Sequence, residues 1–117
     1  RMEAGSLLDQ VKEVDGVRLL TANLDMDIDS LRKTADEMKA SLGSGVIVLG
    51  SAAAGKVQLI CAVTPDLVQE GYHAGKLIKQ VAAYCGGGGG GRPDMAQAGG
   101  KDPSKLDAAL ANVEQWL

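Results

Sequence analysis

Polar and apolar positions along this 117-residue chain follow two periods. Ile28, Leu31, Ala35, Met38 and Leu42 recur three and four apart, which predicts an amphipathic helix with one buried stripe. Asp29 or Ser30 is placed to cap its start, and Gly43 supplies a left-handed stop. Residues 46–49 and 57–63 are nearly continuous apolar runs rich in Val and Ile, and predict strands. The segment between them, Gly50-Ser-Ala-Ala-Ala-Gly55, is too short for a crossover, so the pair is expected to be an antiparallel hairpin. Residues 17–22 predict a further strand, followed by an acidic turn at Asp25, Met26 and Asp27. Leu7, Leu8, Val11 and Val14 have helical spacing, which predicts the end of a helix over residues 6–14.

The second half is punctuated by start and stop signals. Thr64-Pro65-Asp66 opens a helix, with Thr at the cap and Pro in the first turn. Its apolar positions are Leu67, Val68, Ile78, Val81, Ala82 and Cys85, with a break expected near Gly71 and an end at Gly86. Asp102-Pro103 repeats the signal before a last helix that buries Leu106, Leu110, Val113 and Leu117, with Trp116 beside them. A few strands mixed with about four helices predict one α/β layered domain. We expect a small mixed sheet flanked by helices, with a glycine-rich loop before the C-terminal helix. Residues 1–14 are expected to be the tail of an upstream helical unit, and 15–117 the globular domain. The chain opens on Arg1, which points to a piece of a longer protein.

Composition narrows the function classes. No apolar run approaches the roughly 20 residues of a membrane-spanning helix, and no basic start leads into an apolar block, so neither a membrane partner nor a secretory signal is expected. Cys61 and Cys85 are too few for a disulfide framework, and both sit in apolar segments; reduced thiols and a cytoplasmic setting are expected. One histidine and two distant cysteines offer no structural metal site. The formal net charge is −3, which on its own disfavours a nucleic-acid binder. The charge is uneven, however. Residues 71–105 carry Lys76, Lys79, Arg92, Lys101 and Lys105 against Asp94 and Asp102. A local basic patch attracts phosphate even on an acidic protein. A scatter of solvated lysines explains the same counts.

Three motifs carry possible chemistry. Gly50-Ser-Ala-Ala-Ala-Gly55-Lys56 has the spacing of a phosphate-binding P-loop, but Val57 stands where Ser or Thr would hold magnesium, and a strand follows instead of a helix. It is read as a hairpin turn. The six glycines Gly86, Gly87, Gly88, Gly89, Gly90 and Gly91 match a dinucleotide fingerprint only trivially, and no strand precedes them. A flexible linker is the plain reading. Only 26 residues follow, and a single amphipathic helix cannot fold alone, so an ordered or semi-ordered loop within one domain is expected. Such a loop lets backbone N–H groups approach a phosphate or a flat base. In the segment from Arg92 to Lys101, Arg92 can fork onto phosphate or stack on a base, and Gln97 can donate or accept at a base edge. Gly99, Gly100 and Lys101 add backbone donors and a charge, while Ala96 and Ala98 would alternate inward on a short strand. A structural turn with a stray Arg remains the competing reading. His73 is expected on the surface, Asp25, Asp27 and Asp29 lack the remainder of a calcium loop, and no nucleophile–base pair stands out. No catalytic residue is assigned.

The stretch from Gly86 to Lys101, GGGGGGRPDMAQAGGK, resembles the glycine-rich C-terminal signature of bacterial-type alanyl-tRNA synthetases. Leu42-Gly-Ser-Gly-Val-Ile-Val-Leu, the Gly55-Lys-Val strand and Ala74-Gly-Lys-Leu-Ile look similar too, and the likeness runs from about Val14 onward. The resemblance implies the globular part of a C-terminal domain in a ligase that joins alanine to its tRNA. ATP, magnesium and zinc would belong to the rest of that protein, whose other domains would be partners. It implies binding of the outer corner of alanine tRNA, where the D- and T-loops meet, through the six glycines, Arg92, Gln97, Gly99, Gly100, Lys101, Lys76 and Lys79. The domain would tether the tRNA for charging and editing, and a homodimer is a further possibility. The same domain type follows the catalytic domain of DHH phosphoesterases, where the glycine run usually leads into a phosphate-contacting His. Arg92-Pro93 stands here instead and favours the synthetase. A purely structural or dimerising domain is the third reading.

Overall fold

The computed structural model describes residues 11–14, 16–24, 26–53 and 55–116. They form the order β1 (Lys12–Val14), β2 (Val17–Asn23), α1 (Ile28–Leu42), β3 (Val46–Ala53), β4 (Lys56–Val63), α2 (Pro65–Gln69), α3 (Ala74–Tyr84), β5 (Gly88–Gly91), β6 (Met95–Gly100), a short 3₁₀ turn (Pro103–Lys105) and α4 (Leu106–Trp116). The six strands make one mixed sheet in the order β1-β2-β3-β4-β6-β5. Only β2 and β3 are parallel, joined by α1; every other neighbouring pair is antiparallel.

Both faces of the sheet are covered, which is why the central strands read as unbroken apolar runs. Alternate residues go to opposite sides. Leu20, Ile47, Leu49 and Ile60 pack under the α1 stripe of Leu31, Ala35, Met38 and Leu42. Leu19, Val46, Val48, Leu59 and Cys61 pack under α3 and α4, against Ile78, Val81, Leu106 and Val113. At about 1.5–3 kcal/mol for each large side chain withdrawn from water, these two layers dominate the stability of the domain.

The single α/β layered domain with a mixed sheet and flanking helices is as expected, with corrections at particular elements. Residues 12–14 form a strand paired with β2, not the end of a helix; Val11 and Val14, three apart, would share a helix face but here pack against opposite layers of the core. The remainder of that expected helix lies outside the described residues. The hairpin strands are longer than expected and absorb residues 50–53. Gly50 is a strand residue paired with Asn23 and Leu59, and Leu106 is seated on it: a β-carbon there would lie 2.7 Å from Leu106 Cδ1. The α1 cap is Asp27, whose Oδ1 accepts from the Ser30 N–H at 2.8 Å, not Asp29 or Ser30. The Gly43 stop holds, with φ 72° and its N–H on Lys39 O. Thr64 precedes Pro65 as expected, but its hydroxyl accepts from the Gly45 N–H at 3.1 Å and does not cap the helix. The break near Gly71 separates α2 from α3, with φ 107° at the glycine.

Candidate nucleic-acid interface

The glycine run, expected as a loop, is a strand on the edge of the sheet. Helix α3 ends at Cys85, Gly86 turns the chain with φ 76°, and Gly88–Gly91 then pair with β6. The register is Gly88 to Gly99, Gly89 to Ala98, Gly90 to Gln97 and Gly91 to Ala96. Glycine is a poor strand former, so packing must require it. At 87 and 89 a β-carbon would collide with Gly99 O and Ala98 Cβ across the ribbon, and at 91 it would lie 2.9 Å from Ala96 Cα. The intervening positions differ. At 88 a β-carbon would enter open space, and at 90 it would meet only Lys79 Cε at 3.4 Å. Packing within the chain thus accounts for alternate glycines, and leaves Gly88 and Gly90 as the two where a ligand could gain from a bare backbone.

Backbone donors are available on one side only. The N–H groups of Gly86, Gly87 and Arg92 donate to Ala83 O, Ala82 O and Met95 O. The Lys101 N–H, expected to face a ligand, donates to Cys85 O at 3.0 Å, as does that of Asp102 at 2.9 Å. Gly99 and Gly100 lie in β6, between β4 and β5. The free backbone polar groups of the glycine signature are therefore those on the outer edge of β5, which has no neighbouring strand among the described residues.

Side chains from three directions surround this edge. Arg92 is exposed and stands 3.8 Å from Asp94, an ion pair too solvated to hold either group tightly. Arg92, Gln97 and Gly90 line a groove of about 420 Å³ between α1 and the β5–β6 hairpin. Its other wall carries Arg32 and Lys39, which sequence reasoning missed. Arg32 donates to Gln97 Oε1 at 2.5 Å. With Asp36 these residues form a stripe at helical spacing beside the buried one, a signal indistinguishable in sequence from any solvated helix face. A second groove of about 410 Å³, at the opposite end of the hairpin, is lined by Lys56, Lys101 and Gly87, Gly88, Gly99 and Gly100. Lys76 and Lys79 are exposed on α3, the stem of Lys79 approaching Gly90. The expected residues thus divide: Arg92 and Gln97 meet in one groove, Lys101 belongs to the other, and Lys76 and Lys79 flank the strand.

Other candidate groups have structural roles. His73 Nδ1 accepts from the Lys76 N–H at 3.2 Å and caps α3. Cys61 and Cys85 are free and buried; desolvation pushes both thiols up, away from the reactive thiolate. Among the described residues no three His, Cys, Asp or Glu side chains converge to hold a metal ion, and no helix is long and apolar enough to cross a membrane.

The chain is 62% identical over 117 residues to an alanine–tRNA ligase of Geobacillus kaustophilus, and 59% identical to that of Bacillus subtilis. Each alignment covers 99% of this chain and 13% of the relative, so the chain spans about an eighth of their length. Its fold matches the C-Ala domain of Aquifex aeolicus alanyl-tRNA synthetase with a TM-score of 0.83 at 26% identity, covering 90% of this chain and 95% of that one. A DHH-domain protein of the s1p family of ribosomal proteins shares the fold at a TM-score of 0.61 and 18% identity, over 96% of this chain and 28% of that one. Residues 16–117 match the profile of the DHHA1 domain, and the chain belongs to that family.

Proposed function

We propose that this chain is the globular part of the C-terminal domain of an alanine–tRNA ligase, and that it binds the outer corner of tRNA. The observation that carries the reading is the bare glycine edge of β5, flanked by Arg92, Arg32 and Lys39 on one side and Lys79 on the other. The tRNA corner offers a flat base pair with phosphates beside it. A side-chain-free strand suits the first and the surrounding cations suit the second, a contact by shape and stacking. The domain holds one tRNA so that the catalytic parts of the longer protein, which join alanine using ATP and remove mischarged amino acid, reach its acceptor end. The gain is effective concentration, without chemistry in this chain. The other domains of that ligase are its partners, and its setting is the cytoplasm.

The test is binding of the chain to alanine tRNA and to an acceptor-stem minihelix lacking the corner, at two salt concentrations. Preference for the full tRNA, lost in Arg92→Ala, supports the reading. Equal affinity for both RNAs, or none for either with a dimeric chain in solution, replaces it with a non-specific or protein-contact surface.

A further inference from the structure

Arginine can only donate hydrogen bonds, so the partner that it meets at 2.5 Å on Gln97 must be the carboxamide oxygen. That bond orients the carboxamide, with its oxygen on Arg32 and its amide nitrogen, a pure donor, turned away from Arg32. The same groove holds the Arg92 guanidinium and the Lys39 ammonium, which are donors as well. Its carboxylates are Asp36 and Asp94, and Asp94 stands beside Arg92. Three cations face two carboxylates, and the neutral group among them is oriented by one of the cations.

We infer that Arg32 is a positioning residue, which holds Gln97 as a donor so that the groove between α1 and the β5–β6 hairpin grips an acceptor oxygen of an RNA phosphodiester. This deepens the RNA-binding reading and rests on it. Gln97 alone does not discriminate, since a free carboxamide rotates to offer either end. Arg32 removes that freedom before the ligand arrives, which lowers the ordering cost of binding.

The experiment follows the side-chain amide of Gln97 by ¹⁵N NMR in the full chain, with an alanine tRNA transcript and a five-nucleotide RNA as probes. Both RNAs are expected to shift this resonance. Arg32→Met and Gln97→Ala are each expected to weaken binding roughly tenfold. The double variant should be little weaker than either single one, because both remove the same contact. Gln97→Glu, which keeps a partner for Arg32 but presents an acceptor to the ligand, should bind worse than Gln97→Ala. Arg32→Lys should restore part of the loss. Both substituted positions, Arg32 and Gln97, carry exposed side chains, and circular dichroism checks that the variants fold. Effects of Arg32→Met and Gln97→Ala that multiply would overturn the inference, as would a Gln97 resonance that neither RNA moves. If tRNA binds but these variants bind like the parent chain, the corner-binding reading stands and this one falls. If only the pentamer binds and shifts Gln97, the corner reading falls and this one stands.

Discussion

Gly75 in α3 lies directly against Gly91 in β5: a β-carbon at 75 would stand 2.8 Å from the Gly91 carbonyl oxygen. Helix and glycine strand are in backbone contact, and Ala74 N–H reaches Pro93 O at 2.8 Å beside them. Gly75→Ala therefore has two opposed effects. Helix propensity favours alanine by about 1 kcal/mol, while forcing a methyl into packed backbone costs about 1–3 kcal/mol. The clash wins, because its partner is main chain and cannot rotate aside. A lower Tm in thermal unfolding is expected; an unchanged or higher Tm would mean that α3 slides away from β5 freely.

Gly88→Ala and Gly89→Ala separate the two roles within the glycine strand. A methyl at 89 collides with Ala98, so the second change should lower Tm, whereas a methyl at 88 enters open space. Gly88→Ala should leave stability unchanged or raise it by a few tenths of a kcal/mol through the unfolded chain. It should nonetheless weaken tRNA binding if RNA packs on that bare edge. Paired melting and binding titrations read both quantities.

Arg92→Ala should weaken tRNA binding by about 1–3 kcal/mol, as expected for a charge-assisted contact, with almost no change in Tm. The stability is insensitive because the Arg92–Asp94 pair is largely solvated. Lys76→Ala and Lys79→Ala should cost less, each lowering the salt slope of binding by about one if it touches phosphate. Slopes that stay fixed in every lysine variant would remove phosphate contact from the account.

Two carboxylates contribute to stability on the acid side. The Ser30 N–H and then its hydroxyl hold Asp27 below the usual carboxylate range. The hydroxyls of Ser44 and then Thr64 do the same for Asp66. A carboxylate whose folded pKa is depressed contributes stability above its unfolded pKa, near 3.8, and loses it as pH falls through the folded value. Urea midpoints measured downward from pH 5 should fall, and Asp27→Asn with Asp66→Asn should flatten that limb. An unchanged limb would assign acid unfolding to other groups.

Cys61 and Cys85 are fully buried, so labelling by a thiol reagent should wait for unfolding. The labelling rate should rise in Gly75→Ala in step with its loss of stability. Fast labelling of the parent chain at neutral pH would show that the α3–β6 layer opens locally.

Legibility followed side-chain periodicity. The α1 stripe and the β3–β4 hairpin were readable because Leu31, Ala35, Met38, Ile47, Leu49 and Ile60 carry a pattern that only one packing satisfies. The alternation also places Ala96 and Ala98 inward on a strand, and Ala96 is buried there. The glycine strand was not readable, since glycine has no side chain to alternate, and its reason for existing is the collisions that β6 would impose on one. β1 was missed because three residues are too few to distinguish two periods. Arg32 was missed because its partner, Gln97, is 65 positions away on another element.

Sheet order also bears on when the glycine edge comes into being. β5 precedes β6 in the chain but lies outside it, so its place in the sheet depends on β6 being docked on β4. β6 in turn leads into α4, whose Leu106 fills the space over Gly50. During synthesis from the N-terminus, the earlier layers can assemble while the glycine edge still awaits β6. An incomplete chain would thus present no competent surface to RNA. Conversely, an RNA seated on that edge draws on the folding equilibrium of the whole domain, and should raise its melting temperature in proportion to the logarithm of RNA concentration.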